Sequence, residues 1–282
     1  MRADRMINHA TDPAKPPTPF TFTPSRAPMI RHFFILLFHE LRMHLVKPAT
    51  YVAGTMFLGI VALIYWIALW EAAREGQDWL PSEDLFRLYW APALVFVPML
   101  TMGTFAEERR LGTLASLLTT PVGAHVVVFA KFAAAYVLYM AFWLIALSFP
   151  FIANASLHGA AGDPRLLGGT ALVGGILFIA FSAPLQIALG IFFSSLTRSV
   201  QVAGIITCVS MIFLIALNKG LYWMADSYIS MRWLYEPAEL LNAAKYAEDF
   251  VRGVVDTRPL LHFGSGAILA LGATALVVES KA

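Results

Sequence analysis

Residues 167–196 read LGGTALVGGILFIAFSAPLQIALGIFFSSL, a run with neither an acid nor a base. A hydrocarbon core about 30 Å thick needs roughly 20 apolar residues at about 1.5 Å each, so this run reads as a transmembrane helix, longer than lipid demands. Pro184, near its middle, lacks the N–H that the helix ladder uses and is expected to bend it. Working outward, comparable runs lie at 126–152, 89–106 and 49–70 on one side and at 200–217 and 259–278 on the other. The expected fold class is all-α: a polytopic membrane protein with six transmembrane helices.

Composition agrees. The chain is 59% hydrophobic and 13% charged with a mean hydropathy of +0.68, whereas soluble domains carry about 25% charge. A secreted globule, a nucleic-acid binder and a wholly disordered chain are excluded. Cys208 is the only cysteine, which leaves no intrachain disulfide and no cysteine cluster for a metal, and its reading is a small buried hydrophobe. The net charge of +2 matters through its distribution. With the N-terminus in the cytoplasm, most of the 20 Lys and Arg residues fall inside and most of the 18 acids outside, the arrangement that the positive-inside rule favours. An even number of spans returns the C-terminus to the cytoplasm.

The first 28 residues are punctuated by prolines and read as a disordered cytoplasmic tail. From 29 to 47, Phe33, Leu36, Leu37 and Leu41 alternate with Arg31, His32, His39, Arg42 and His44, the mixture of a helix lying in the headgroup layer. The membrane-spanning body is 29–282.

Catalytic signatures are missing. His39 and His44, in HELRMH, resemble a zinc-protease pair, but they are five positions apart and about 140° around a helix, so they do not converge on one ion. No glycine is followed by lysine, so the chain has no P-loop and no nucleotide site. The spans hold almost no ionisable group for acid–base work or proton coupling. Lys131 sits near the start of its span and is expected to snorkel back to the headgroups. Gln186, Gln201 and Ser210 read as helix-to-helix hydrogen bonders. The chain is not expected to be an enzyme, and no cofactor or metal ligand set is assigned.

The most informative stretch is FAEERRLGTLASLLTTPV, residues 105–122. Glu107, Glu108, Arg109 and Arg110 end the apolar run, after which Leu111, Leu114, Leu117 and Leu118 fall on one helical face. Thr120 is placed to cap the next helix, with Pro121 in its first turn. Periodicity alone leaves two readings equally open: a helix resting on the bilayer, or a knob inserted into the groove of a soluble partner.

These residues resemble the permease subunits of type-2 ABC transporters, in the branch with the gliding-motility and nitrous-oxide-reductase-maturation permeases. Ala106 to Val122 follow that family's Ala-Glu-Glu-Arg-Arg-x-Gly-Thr-Leu pattern, with Lys131 in the next span; FFSSLTRSVQ (192–201), EDFVRGVVDTR (248–258) and HELR with KPATY (39–51) match further family stretches in the same order. Gly103, Ala115 and Tyr246-Ala247 depart from it. The resemblance implies a membrane-spanning subunit of an ATP-binding-cassette transporter in a bacterial plasma membrane, with export as the expected direction. It acts as a homo- or heterodimer with a second permease subunit and with ABC ATPase subunits that bind the ATP and Mg. It further implies that residues 107–125 form the coupling segment to the ATPase, with Glu107, Glu108, Arg109, Arg110, Gly112, Thr113, Pro121 and Arg198 as the contact residues. For Arg198, snorkelling to lipid phosphate is an equal reading.

Residues 218–258 are rich in Tyr and Trp, as at a membrane interface. Pro237 is expected to start an amphipathic helix that Gly253 ends. In the family's terms this is an extracytoplasmic gate, with Arg252, Gly253 and Asp256 as its residues and Arg252, Asp256 and Arg258 ordering it by pairing. The alternative to a transporter is a membrane scaffold or assembly factor that docks soluble proteins without moving substrate.

Overall fold

The computed structural model describes residues 29–75, 81–113, 123–158 and 168–280, and among these every regular element is helical. Helix α1 (Met29–Val46) precedes α2 (Pro48–Glu75). Then come α3 (Pro81–Arg87), α4 (Trp90–Thr101) and the six-residue α5 (Ala106–Leu111). Helices α6 (Ala124–Ala146) and α7 (Ser148–His158) are nearly continuous, and α8 (Gly169–Leu196) and α9 (Val200–Ser227) follow. A 3₁₀ turn (Ile229–Leu234), α10 (Tyr235–Leu240), α11 (Ala243–Val251) and α12 (Arg258–Ser280) complete the chain.

Among the described residues, five helices are long and apolar enough to cross a membrane: Pro48–Arg74, Ala124–Ser156, Gly169–Leu196, Val200–Ser227 and Arg258–Ser280. The second expected span is different. Its 12-residue α4 covers only about 18 Å, and it reaches spanning length only together with α3 and α5, as the pair Pro81–Arg87 and Trp90–Leu111 bent by 45°. The cause is local. Pro92 cannot donate to the Leu88 carbonyl, which takes a tighter bond from Ala91 N–H at 3.0 Å instead. The fifth span runs beyond 217 to Ser227, and the helix expected from Pro237 to Gly253 is broken in two where Asn242 caps α11 by accepting from Lys245 N–H at 3.0 Å.

Helix α8 is the centre of the bundle, packing on α12, α11, α9, α6, α4 and α3. Apolar lipid gives helices little reason to associate, so their packing rests on close approach and small residues. A Cβ on Gly174 would overlap the Phe250 carbonyl of α11, one on Gly175 the Phe86 ring of α3, and one on Gly190 the Thr101 side chain of α4. Pro184 leaves the Ala180 carbonyl without its helical donor, and Tyr136 of α6 supplies one, its hydroxyl donating at 3.0 Å. Phe57, Phe96, Tyr139 and Trp143 fill the space between α2, α4 and α6 with edge-on and stacked rings.

Candidate partner-coupling site

Helix α5 carries acids in its first turn, Glu107 and Glu108, and bases in its last, Arg109 and Arg110, complementing its dipole. Six residues are too few to hold a helix by themselves; neighbours fix both ends. At the start, the Phe105 and Ala106 N–H groups both donate to Ser194 Oγ of α8 at 3.1 Å, and Ser194 donates in turn to the Met102 carbonyl at 2.9 Å. This is an N-terminal cap delivered from another span. At the end, Gly112 adopts φ +72°, and the N–H groups of Gly112 and Thr113 both donate to the Glu108 carbonyl, a left-handed termination that favours glycine.

The charges of α5 then divide. Glu107 Oε2 accepts from Lys47 Nζ at 2.6 Å. Lys131 does not snorkel: its side chain is 3% exposed, and Nζ donates at 2.7 Å to Glu108 Oε1 and at 2.7 Å to Glu40 Oε1 of α1. The expectation failed because two carboxylates from other elements already sit over the ammonium. Arg109 Nη1 donates to the Ser195 carbonyl of α8 at 2.6 Å. Three of the four charged side chains are thus held by the chain itself, tying α5 to α6, α8 and the α1–α2 junction. The Glu108 Oε2 atom is buried without a hydrogen-bond partner. His44, facing Glu40, Lys47 and Lys131, is kept neutral mainly by burial, which pushes its imidazole down to about 4 against the pull of Glu40.

What remains outward is Arg110, Leu111, Gly112 and Thr113, all exposed, and Arg198, exposed in the turn between α8 and α9. Arg110 and Arg198 line one cavity of about 830 Å³, with Lys47, Lys131 and Gln201 elsewhere in its wall. Pro121, and the apolar face expected at 114–118, lie outside the described residues.

The expected gate residues sit at the opposite end of α8, beside Gly174, about 30 Å along the helix from Ser194. Gly253 ends α11 at φ +84°. Arg252 pairs with Glu248 one turn back rather than with Asp256, and Asp256 accepts from the Arg258 backbone N–H at 3.0 Å. The expected mutual pairing of Arg252, Asp256 and Arg258 is replaced by these local bonds, which close helix ends with shorter side-chain reach.

Sequence reasoning missed Glu40, His44, Lys47, Ser194 and Ser195. Glu40 and Lys47 were visible as charges flanking an apolar run, but nothing in the linear order paired them with residues 107, 108 and 131.

No curated protein matches the chain. The family described as ABC-2 family transporter protein matches residues 43–215, more than half of the sequence, including Lys47, all of α5, Lys131, Ser194 and Arg198. The chain therefore belongs to the ABC-2 transporter family, whose members supply the membrane permease component that works with ABC ATPase subunits.

Proposed function

We propose that this chain is the permease subunit that receives the ATPase stroke through α5, in a transporter of the bacterial plasma membrane. One observation supports this above the others: α5 is anchored to α6 by Lys131, to α8 by Ser194 and Arg109 and to the α1–α2 junction by Lys47, while residues 110–113 stay exposed. A partner pressing on those four residues acts on an element that cannot yield alone. The partner subunits bind the ATP and Mg, and a second permease subunit, identical or related, completes the transporter. The bent pair counts as one of six spans, and the α1 end faces the cytoplasm with both termini, on the strength of the basic-residue distribution. Export, and the gliding-motility and nitrous-oxide-reductase-maturation branch, rest on the resemblance at 106–122, 192–201 and 248–258. The gate reading of Arg252, Gly253 and Asp256 rests on the same resemblance and on the seating of α11 against Gly174.

The test is gentle extraction of the tagged chain, identification of co-purifying subunits and an ATP hydrolysis assay. A Walker-motif subunit should co-purify with ATPase activity, and Arg110→Glu with Leu111→Asp should release it. Unchanged association and turnover in that double variant would refute the assignment, and transport in proteoliposomes separates a transporter from a scaffold.

A further inference from the structure

The cationic end of α5 holds more positive charge than its carboxylates neutralise. Lys47 and Lys131 are matched to Glu107, Glu108 and Glu40. Arg109, Arg110 and Arg198 have no ion pair among the described residues; Arg109 reaches only the Ser195 carbonyl, and it lies close enough to Arg198 for the two charges to repel. Glu107 feels the charge of Arg110, but its Oε2 atom is committed to Lys47. Helix α9 starts beside Arg198, and the Val200 and Gln201 N–H groups at its first turn have no acceptor within the helix.

Two of these arginines, Arg110 and Arg198, open onto the 830 Å³ cavity, whose wall also carries Lys47 and Lys131 with the Glu40, Glu107 and Glu108 carboxylates that pair with them, so that the arginines supply the unpaired positive charge. Met43, Met99, Leu100 and Met102 line it, and Leu45 on α1 and Val202 on α9, next in sequence to lining residues, are exposed apolar side chains. Gly103 keeps it open: a Cβ there would meet only Glu107 Oε2, at 3.4 Å. A cavity with more bases than acids and with Met43, Met99, Leu100 and Met102 in the same wall suits an anionic amphiphile. An acidic peptide side chain would leave the apolar half unused. The position also suits a lipid, because Arg198 lies in the turn between the last residue of one candidate span and the first of the next.

We propose that the cavity between α1, α5 and α9 is a binding site for an anionic phospholipid, with Arg110 and Arg198 on the headgroup phosphate and the methionine wall against the first segments of the acyl chains. The site goes beyond the coupling reading and does not require an ATPase.

The experiment uses the full-length protein with whatever subunits co-purify, delipidated in mild detergent and titrated with phosphatidylglycerol or phosphatidylethanolamine, the bound lipid being counted by native mass spectrometry. The wild type should retain phosphatidylglycerol in preference. Arg110→Gln with Arg198→Gln should lower that retention by about tenfold per arginine, the scale of one charge-assisted contact. Gly103→Leu, which projects an apolar side chain into the cavity and keeps every arginine, should lower it too. Equal retention of the two lipids, or unchanged phosphatidylglycerol binding in both variants, would overturn the proposal. Inorganic phosphate alone should not raise thermal stability as phosphatidylglycerol does; equal stabilisation would assign the site to free phosphate and overturn the lipid reading. A double variant that keeps its preference for phosphatidylglycerol but loses the ATPase subunit would assign the arginines to the partner instead.

Discussion

Replacing Lys131 by Met tests whether the buried network holds α5 in place. In the native chain one ammonium faces two carboxylates at 2.7 Å each. At an effective dielectric constant near 20, each attraction is about 6 kcal/mol, and the repulsion of two carboxylates roughly 5 Å apart is about 3 kcal/mol. The lysine outweighs the repulsion before desolvation is counted. Without it, Glu40 and Glu108, whose side chains are 15% and 21% exposed, face each other with nothing between them. Breaking a buried pair costs about 3–5 kcal/mol, and we expect that loss in Lys131→Met. Glu40→Gln should behave differently, because it leaves a one-to-one pair with Glu108 and an amide oxygen that still accepts; its cost should stay near about 1 kcal/mol. The asymmetry between the two variants is the diagnostic quantity, and the double variant closes a cycle that isolates their coupling. The assay is equilibrium unfolding in detergent, with a spin-label distance between α1 and α5 to show whether they separate. Equal costs for the two single variants, or an unchanged distance in Lys131→Met, would refute the reasoning.

Ser194→Ala removes the acceptor of two N–H groups and the donor to Met102, and it should destabilise by about 1–3 kcal/mol, whereas Ser210→Ala, which loses only a bond to its own helix, should cost well under that; thermal unfolding of the two compares them. Gly174→Ala drives a methyl into the Phe250 carbonyl and should cost about 1–3 kcal/mol with displacement of α11, readable by cysteine accessibility on 243–251, while Gly59→Ala meets nothing within 4 Å and should be neutral or stabilising by up to about 1 kcal/mol. His44 titrates at 6.5 when unfolded and at about 4 when folded, so the unfolded chain binds the extra proton first. Stability present above 6.5 should fall progressively as the pH drops toward 4, and His44→Asn should flatten that slope in a pH series of unfolding curves.

The spans were legible because a membrane helix is written in one dimension: length and the absence of charge suffice, and residues 167–196 show both. The second span was legible only in part, because its helix is assembled from α3, α4 and α5 across a bend that depends on which carbonyl Pro92 deprives. At the site, the order of charges in 107–110 was visible, but their orientation was not. Whether Glu108 faces a partner or Lys131 depends on the packing of α1 against α6, a contact between residues 91 positions apart in the chain. Lys131 shows the limit most plainly. From sequence, a lysine near a span end snorkels, since hydration is the cheapest fate for an ammonium; with two carboxylates brought to it, burial is cheaper still.

The way α5 is attached determines where a load applied to it would travel. Along the chain, α5 is joined to α4 through residues 102–105, which form a turn rather than a continuous helix, and a turn transmits force poorly. Across space it meets α8 through Ser194 and the Ser195 carbonyl and α6 through Lys131, which also holds Glu40 of α1, all at 3.1 Å or less. A push on residues 110–113 therefore loads α6 and α8 together and tilts them more directly than it tilts α4. Because α8 carries Gly174 and Gly175 at its far end, with α11 and α3 seated so closely that neither glycine has room for a Cβ, rotation of α8 cannot leave those two helices behind. Packed helices rearrange as units rather than deforming continuously. The element that links the α5 end to α11 is α8, and the hydrogen bonds of Ser194 with α5 are where that link begins.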